Sequence, residues 1–424
     1  MRFRRTIWVA SALLFASVLQ AKAQESYGST IGNFLNIPVS PQMLAMGDAG
    51  VSVLSKSAAS MIDNPAQLGI RSLTDSLNVG TSLFFHDSNT SRDGLYYRDE
   101  SAANAAVSYE TRVNSLWHNL PFRVGIAIGY SYQEFTFHPT LDSPEPVGYE
   151  TDYANTLFVG LGLHYFLRLG LGYSLELVNN ENRAARPKID ELAENFGTIL
   201  QVPVLHLLWA KRQIVVGKDV EPILNIAAGY ALRNVGGYVI KTPTYELPFA
   251  RQALLGWNWE LGFRSKVKGY SWKWFSFTWT RQAIDSPIKL DSAFVGGPSD
   301  VSNWNYFESY RGGLGDFSPW SNLILGKGSL TQVTSRGWQI GFAGFFYLRG
   351  GAITGSRQPT YGTSGWGVSA EGLVKLMVYL HQLNPKATFT QFMLRHLDIE
   401  FDYSEADGGI FAGKPFESLD LVLR

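Results

Sequence analysis

The chain has 424 residues with 36 basic and 36 acidic side chains, and its charged fraction of 17% is well below the roughly one quarter of an average soluble domain. Aromatic residues make up 14%, glycine numbers 42 and cysteine is absent, which excludes disulfides, thiolate metal sites and a lipid on an N-terminal cysteine. This balance excludes a disordered chain, a coiled coil and a binder of polyanions, so no nucleic-acid partner is expected.

The N-terminus reads as a secretory signal over residues 1–23. Arg2, Arg4 and Arg5 form its basic start, Ile7 to Leu19 its apolar stretch, and Ala21-Lys22-Ala23 its small-residue cleavage site. Cleavage there removes Arg2, Arg4, Arg5 and Lys22 and leaves a mild acidic excess. Further on, the most apolar stretch, Leu200 to Ala210, is interrupted by Gln201, Pro203 and His206, so no transmembrane helix is expected.

Residues 24–72 do not alternate in polarity. They carry Asn33-Phe34-Leu35-Asn36-Ile37-Pro38-Val39, then Ala45-Met46-Gly47-Asp48-Ala49-Gly50-Val51, and Asn64-Pro65-Ala66-Gln67-Leu68. Small residues and turn formers suit a compact plug inside a larger structure. Met46, Gly47 and Asp48 could line a ligand path or be a glycine-rich packing contact. Asn64, Pro65 and Ala66 read as a turn that could also gate a lumen.

From residue 73 to 424 the chain repeats segments in which large apolar side chains alternate with small or polar ones. In Val124-Gly125-Ile126-Ala127-Ile128-Gly129-Tyr130-Ser131-Tyr132 every even position is bulky and every odd one is Gly, Ala or Ser. This period belongs to strands with lipid on one side and a packed lumen on the other. The fold class is therefore all-β, a transmembrane antiparallel β-barrel of about fourteen strands with an N-terminal hatch, as even-numbered barrels require. The strands centre near 79–86, 103–112, 123–133, 153–165, 167–178, 196–208, 222–233, 252–265, 271–281, 336–345, 347–355, 365–375, 395–404 and 416–424. Short turns near 166, 266–270 and 346 fall at one end and long gaps at the other, the longest being 283–335; 209–221 and 376–394 are long for the short-turn end. Trp257, Trp259, Trp272, Trp274 and Trp279 crowd one hairpin, as interfacial girdles do.

Alternation places His164, Arg168, Glu176, Glu260, Arg264, Glu371, Asp398, Glu400 and Asp402 toward the lumen. Charges there need partners, so they are expected as cross-lumen ion pairs that hold the plug, and otherwise as a transport or proton-sensing site. The 283–335 loop carries Trp304, Tyr306, Phe307, Tyr310, Phe317 and Trp320, a density that suits a partner-binding surface, a self-contained cap over the mouth, or seating among lipid headgroups. Seven scattered histidines give no metal spacing, and no phosphate loop or nucleophile elbow is present. No enzyme activity, cofactor or metal is expected.

The stretch Phe34-Leu35-x-Ile37-Pro38-Val39, Ala45-Met46-Gly47-Asp48-Ala49-Gly50-Val51 and Asn64-Pro65-Ala66-x-Leu68 resembles the N-terminal signature of PorV/PorQ-type outer-membrane proteins, members of the FadL-like barrels. The resemblance implies a Gram-negative outer-membrane barrel of fourteen strands with a hatch. PorV-type members serve type IX protein secretion and bind secreted cargo or translocon and attachment partners. FadL-type members admit long-chain fatty acids and other hydrophobic molecules, which would place a ligand in the lumen. Either way, outer-membrane lipid is an expected partner.

Overall fold

The computed structural model describes residues 35–423 except 36, 74–75, 86–94, 113–122, 140–149, 182–189, 209–219, 237, 243–244, 250, 268–269, 286–287, 291–305, 309–313, 329–331, 356–359, 409–412 and 414. The expected signal and two aromatic candidates, Trp304 and Tyr310, lie outside the described residues.

The strands are β1 (Ser76–Phe85), β2 (Leu95–Arg112), β3 (Arg123–Pro139), β4 (Glu150–His164), β5 (Arg168–Glu181), β6 (Asp190–Pro203), β7 (Val220–Gly236), β8 (Tyr238–Thr242) and β9 (Tyr245–Pro248). Then come β10 (Gln252–Val267), β11 (Tyr270–Asp285), β12 (Ile288–Leu290), β13 (Tyr306–Glu308), β14 (Gln332–Phe342), β15 (Phe346–Thr354), β16 (Tyr361–Ser369), β17 (Leu397–Ala406) and β18 (Pro415–Leu423). Two small hairpins, β8–β9 and β12–β13, stand apart, and the others form one antiparallel closed barrel. Closure is made by β1, where Leu77 faces Val107 of β2 on one side and Leu423 of β18 on the other.

Alternation translates into two faces as the period requires. In β3, Ile126 is 54% exposed and Ile128 57%, while the intervening Ala127, Gly129 and Ser131 are buried. Neighbours continue the outward row, since Ile128 faces Val159 of β4, which faces Tyr173 of β5. Such a belt of exposed aliphatic and aromatic side chains suits lipid, and the small inward side chains leave room for chain inside.

The lumen holds Leu35 and residues 37–73. Ser40 caps the first helix, α1 (Pro41–Ala45), its Oγ accepting from Met43 N at 3.4 Å, and Pro41 starts the turn with a preset φ. Two further short helices follow, α2 (Ser60–Asp63) and α3 (Ala66–Arg71). Helix α1 packs on β15 to β18 and α3 on β3 to β6, so the segment spans the inside from one wall to the other.

Two expected strands end early. Val204–Leu208 forms a short helix, α4, after Pro203, which cannot donate to a sheet. Beyond Ser369 the chain turns into α5 (Ala370–Tyr379), because the Ser369 hydroxyl accepts from Gly372 N at 3.2 Å and caps a helix. Glu371 therefore sits in a first helical turn and not on a strand. A second helix, α6 (Thr388–His396), folds back on α5 and buries Val374, Val378, Met393 and Leu394 between them. Helices α5 and α6 account for the long 376–394 connection at the short-turn end, whereas residues 209–219 of the other long connection lie outside the described residues. At the other end, the 283–335 loop contains β12, β13 and a π-helix over Pro319–Ile324.

Candidate functional site

Glycine on the inner wall decides how closely the lumen segment can approach. A Cβ at Gly172 would lie 2.1 Å from the carbonyl carbon of Pro65, and one at Gly337 would lie 2.1 Å from Met46 O. The segment's backbone thus lies directly on the strands, at distances no side chain tolerates. Gly47 needs its own freedom too, since it turns at φ +71 and a Cβ there would meet Arg336 O at 2.6 Å.

Wall side chains then satisfy the segment's backbone groups, which have no sheet of their own. Thr363 Oγ1 accepts from Gly47 N at 2.9 Å and donates to Ala45 O at 3.0 Å. Gln282 accepts from Val51 N at 2.8 Å and donates to Asp48 O at 2.8 Å. Asn64 serves the same end from within the segment. Its Nδ2 donates to Val51 O at 2.7 Å while its Oδ1 accepts from Ala66 N at 3.0 Å, forming the turn that Pro65 initiates.

Of the hatch residues, Met46 and Gly47 lie against β14 and β15, Asp48 meets Gln282 of β11 through its carbonyl, and Asn64, Pro65 and Ala66 lie against β5 and β6. Asp63 is a buried group of the segment and Asp48 a half-buried one, both within electrostatic reach of Arg233. Burial pushes both carboxyls above the ordinary aspartate value; Asp48 adds to the rise at Asp63, and Arg233 opposes it at both. Asp63 Oδ2 is buried with no hydrogen-bond partner.

Lys56 is the charged centre that sequence reasoning missed. Its Nζ lies 2.7 Å from Asp398 Oδ2, 2.8 Å from Glu400 Oε1 and 3.7 Å from Glu371 Oε2. Desolvation pulls its pKa down, but the carboxylates of Glu400, Asp398 and Glu371 outweigh this and hold it well above the ordinary lysine value. A lysine between two serines, in a stretch without periodicity, gave no sign of facing a wall; the only available signal was the triplet of carboxylates on β17 lacking a cation of its own.

The other expected lumen charges pair along the wall rather than across the barrel. Glu260 binds Lys273 at 2.5 Å and Asn225 at 2.8 Å, Arg264 binds Glu221 at 3.0 Å, and Arg349 binds Asp402 at 2.6 Å. Glu176 accepts from Asn195 at 3.2 Å and Thr156 at 3.3 Å, and Arg168 donates to Gln201 at 3.3 Å. Pairing is local because wall neighbours lie within reach while the filled lumen separates opposite walls; Arg349 of β15 reaches Asp402 of β17 only across Gly367 of the intervening β16, whose missing side chain leaves room for the pair.

Beneath the segment, at the short-turn end, lies a polar cavity of about 360 Å³. Lys56, Arg168, Arg264, Lys273 and Arg349 line it with Glu260 and Glu400, giving an excess of cations. Toward the long loops the lumen is apolar instead. Leu35, Ile37 and Leu44 of the segment are buried there among Ala154, Val178, Phe249, Ala406 and Phe416.

Among the aromatic loop candidates, Tyr306 and Phe307 are in β13. Phe317 and Trp320 belong to a stretch, 314–328, that lies on the outer flank of the wall. Tyr230 Oη on that flank donates to Leu314 O at 3.0 Å, and a Cβ at Gly315 would lie 2.7 Å from Ala253 Cβ. This stretch forms no cap over the mouth.

No protein-family model matches the chain, and no curated protein does. Among solved structures it is similar to the toluene transporter TbuX of Ralstonia pickettii, with 13% identity over 95% of this chain and 98% of that one at a TM-score of 0.38. It is also similar to the toluene transporter TodX of Pseudomonas putida, with 9% identity over 94% and 97% at 0.37. The β domain of the Bordetella autotransporter BrkA matches with 9% identity over 82% and 98% at 0.33.

Proposed function

We propose that the chain is a non-enzymatic outer-membrane channel for hydrophobic small molecules, closed by its own N-terminal segment acting as a hatch. The observation that carries this reading is the apolar lining of the lumen at the long-loop end, packed against Leu35, Ile37 and Leu44 of the segment itself. An apolar ligand entering from outside competes with these side chains for the same surface, and the polar cavity beneath receives it only after the segment yields. The long-loop end then faces the exterior of a Gram-negative cell and the short turns face the periplasm. The hatch signature, which resembles that of PorV/PorQ-type members of the FadL-like barrels, supports a hatch-closed outer-membrane barrel and does not choose what it carries.

The test is displacement of a fluorescent apolar probe from the purified barrel. Replacing Leu35 and Ile37 with Ser should free this lining, raise probe binding several-fold and leave the barrel assembled. Absence of probe binding in both forms sinks the reading.

A second reading follows the PorV-type resemblance and makes the barrel a docking component of protein secretion. The exposed Leu314, Trp320, Ile324 and Leu325 favour it, since such groups suit a partner as well as lipid. Deletion of 314–328 should then abolish co-purification of secretion subunits while the barrel still assembles, and retained partners count against it.

A further inference from the structure

Arg281 of β11 and Arg336 of β14 are direct register partners on the outward face of the barrel. Their orientation follows from their neighbours. Trp338, Phe342 and Phe275 on the same faces are exposed, whereas Thr280, Gln282, Gly337 and Gln339 meet the lumen segment inside. Like charges directly opposite on a sheet repel, and a cation on a lipid-facing wall is costly. Among the described residues neither arginine forms an ion pair.

Their height on the wall is marked by tryptophan. Trp257 sits beside Arg281 in the ladder, its ring 5.4 Å from that of Trp279, and the Arg281 guanidinium lies 4.9 Å from the centre of the Trp279 ring. Trp338 follows Arg336 on the same face of β14. Tryptophan at this density marks the water–lipid boundary, where headgroup phosphates lie.

The surroundings form a floor and a rim. Level with Arg336 on β15 and β16 are Ala352 and Gly362, and level with Trp338 are Gly350 and Ser364, so the wall there is shallow. On the other side Arg281 Nη1 donates to Leu323 O at 3.3 Å and to Ile324 O, holding the π-helix against the wall. That stretch turns Leu323 inward and leaves Trp320 69% exposed beside Ile324 and Leu325, and the exposed Lys327 adds a third cation. The outward carboxylates on the far side of the floor are already engaged. Glu405 accepts from Tyr403, and Asp407 accepts from Gly362 N.

We propose that Arg281, Arg336 and Lys327 form a binding site for the phosphate of an anionic lipid headgroup at the long-loop rim. The lipid's acyl chains would run down the small-residue floor beside Trp338. Paired guanidiniums match phosphate oxygens, and an anion between them turns their repulsion into attraction. The site lies on the outside of the wall and is independent of what passes through the lumen.

The test is native mass spectrometry of the full barrel, released from detergent after incubation with lipid A, a phosphorylated glycolipid, or with phosphatidylcholine. Lipid A should be retained preferentially. The Arg281→Gln/Arg336→Gln double variant should lose about tenfold in retained lipid A, corresponding to roughly 1.4 kcal/mol. Arg281→Lys/Arg336→Lys should keep part of the preference, and Arg395→Gln on α6 should keep all of it. Arg336→Gln alone removes an exposed side chain and gives a reading if the double variant misassembles. Equal retention of phosphatidylcholine, undiminished retention by the Gln variants, or complete displacement by inorganic phosphate would overturn the assignment.

Discussion

Lys56 of the lumen segment stands 2.7 Å from Asp398 of β17. Asp398 also accepts from Ser369 Oγ at 2.8 Å and from Glu371 N at 3.1 Å, so one carboxylate ties the segment, the wall and the first turn of α5 together. Replacing Lys56 by Met takes the ion-pair partner from Asp398 and Glu400, both largely buried, whereas Glu371 keeps Lys375 at 2.7 Å. Removing one partner of a buried pair costs about 3–5 kcal/mol, but solvent already reaches the lysine, which reduces the expected loss to about 1–2 kcal/mol. Hydrogen exchange of residues 41–71 should accelerate in this variant while the barrel strands stay protected. Its raised pKa means that the wild-type bond is fully present below the ordinary lysine value and is lost only as pH rises through the higher folded value, so neutral pH leaves it intact.

The glycine wall gives a sharper test of what closes the lumen. Gly172→Leu introduces a side chain where Pro65 and Ala66 already lie within 2.4 Å of a Cβ. Those neighbours are backbone and cannot swing aside, so the segment must leave its seat. In planar bilayers the variant should conduct ions at levels well above the parent. An unchanged, closed trace would show that the segment is not what seals the barrel.

Barrel architecture was legible because lipid and lumen impose opposite demands on alternate residues, and β3 states this in nine letters from Val124 to Tyr132. The lumen position of Glu260 and Asp402 followed from the same parity. Their partners did not, because register across strands is absent from a one-dimensional pattern. Alternation also misled at Glu371. The apolar and polar letters continue past Ser369, but the serine hydroxyl captures a backbone amide and starts a helix. The outer-flank course of 314–328 was hidden for a related reason, since Arg281 reads as an ordinary strand residue until its guanidinium is seen holding the Leu323 carbonyl.

A pH dependence is expected from Asp63. Its folded pKa is raised, so the folded state retains a proton that the unfolded chain gives up in the ordinary aspartate range. This contribution to docking is complete below the unfolded value and is lost as pH rises through the folded one. The segment should therefore be held more firmly at mildly acidic pH than above neutrality. Asp63→Asn should flatten the profile and keep the acid-side protection at high pH, as read by exchange of the Asn64 and Ala66 amides. A variant with the parent's slope would assign the dependence to another group.

Arg349 and Asp402 offer a test of whether charge or shape holds the inner wall. Their side chains are 3% and 5% exposed, the ion pair measures 2.6 Å, and Arg349 Nε also donates to Gln339 Oε1 at 2.7 Å. Removing either charge alone leaves the other buried without its partner, at a cost of about 3–5 kcal/mol. Removing both with Arg349→Met and Asp402→Asn takes away the unpaired charge and leaves mainly the loss of the Gln339 contact, about 1 kcal/mol. The double variant should thus be more stable to urea than either single one, a coupling opposite to that of independent sites. Additive losses would mean that each residue is held by its own surroundings and that the pair contributes little to the wall.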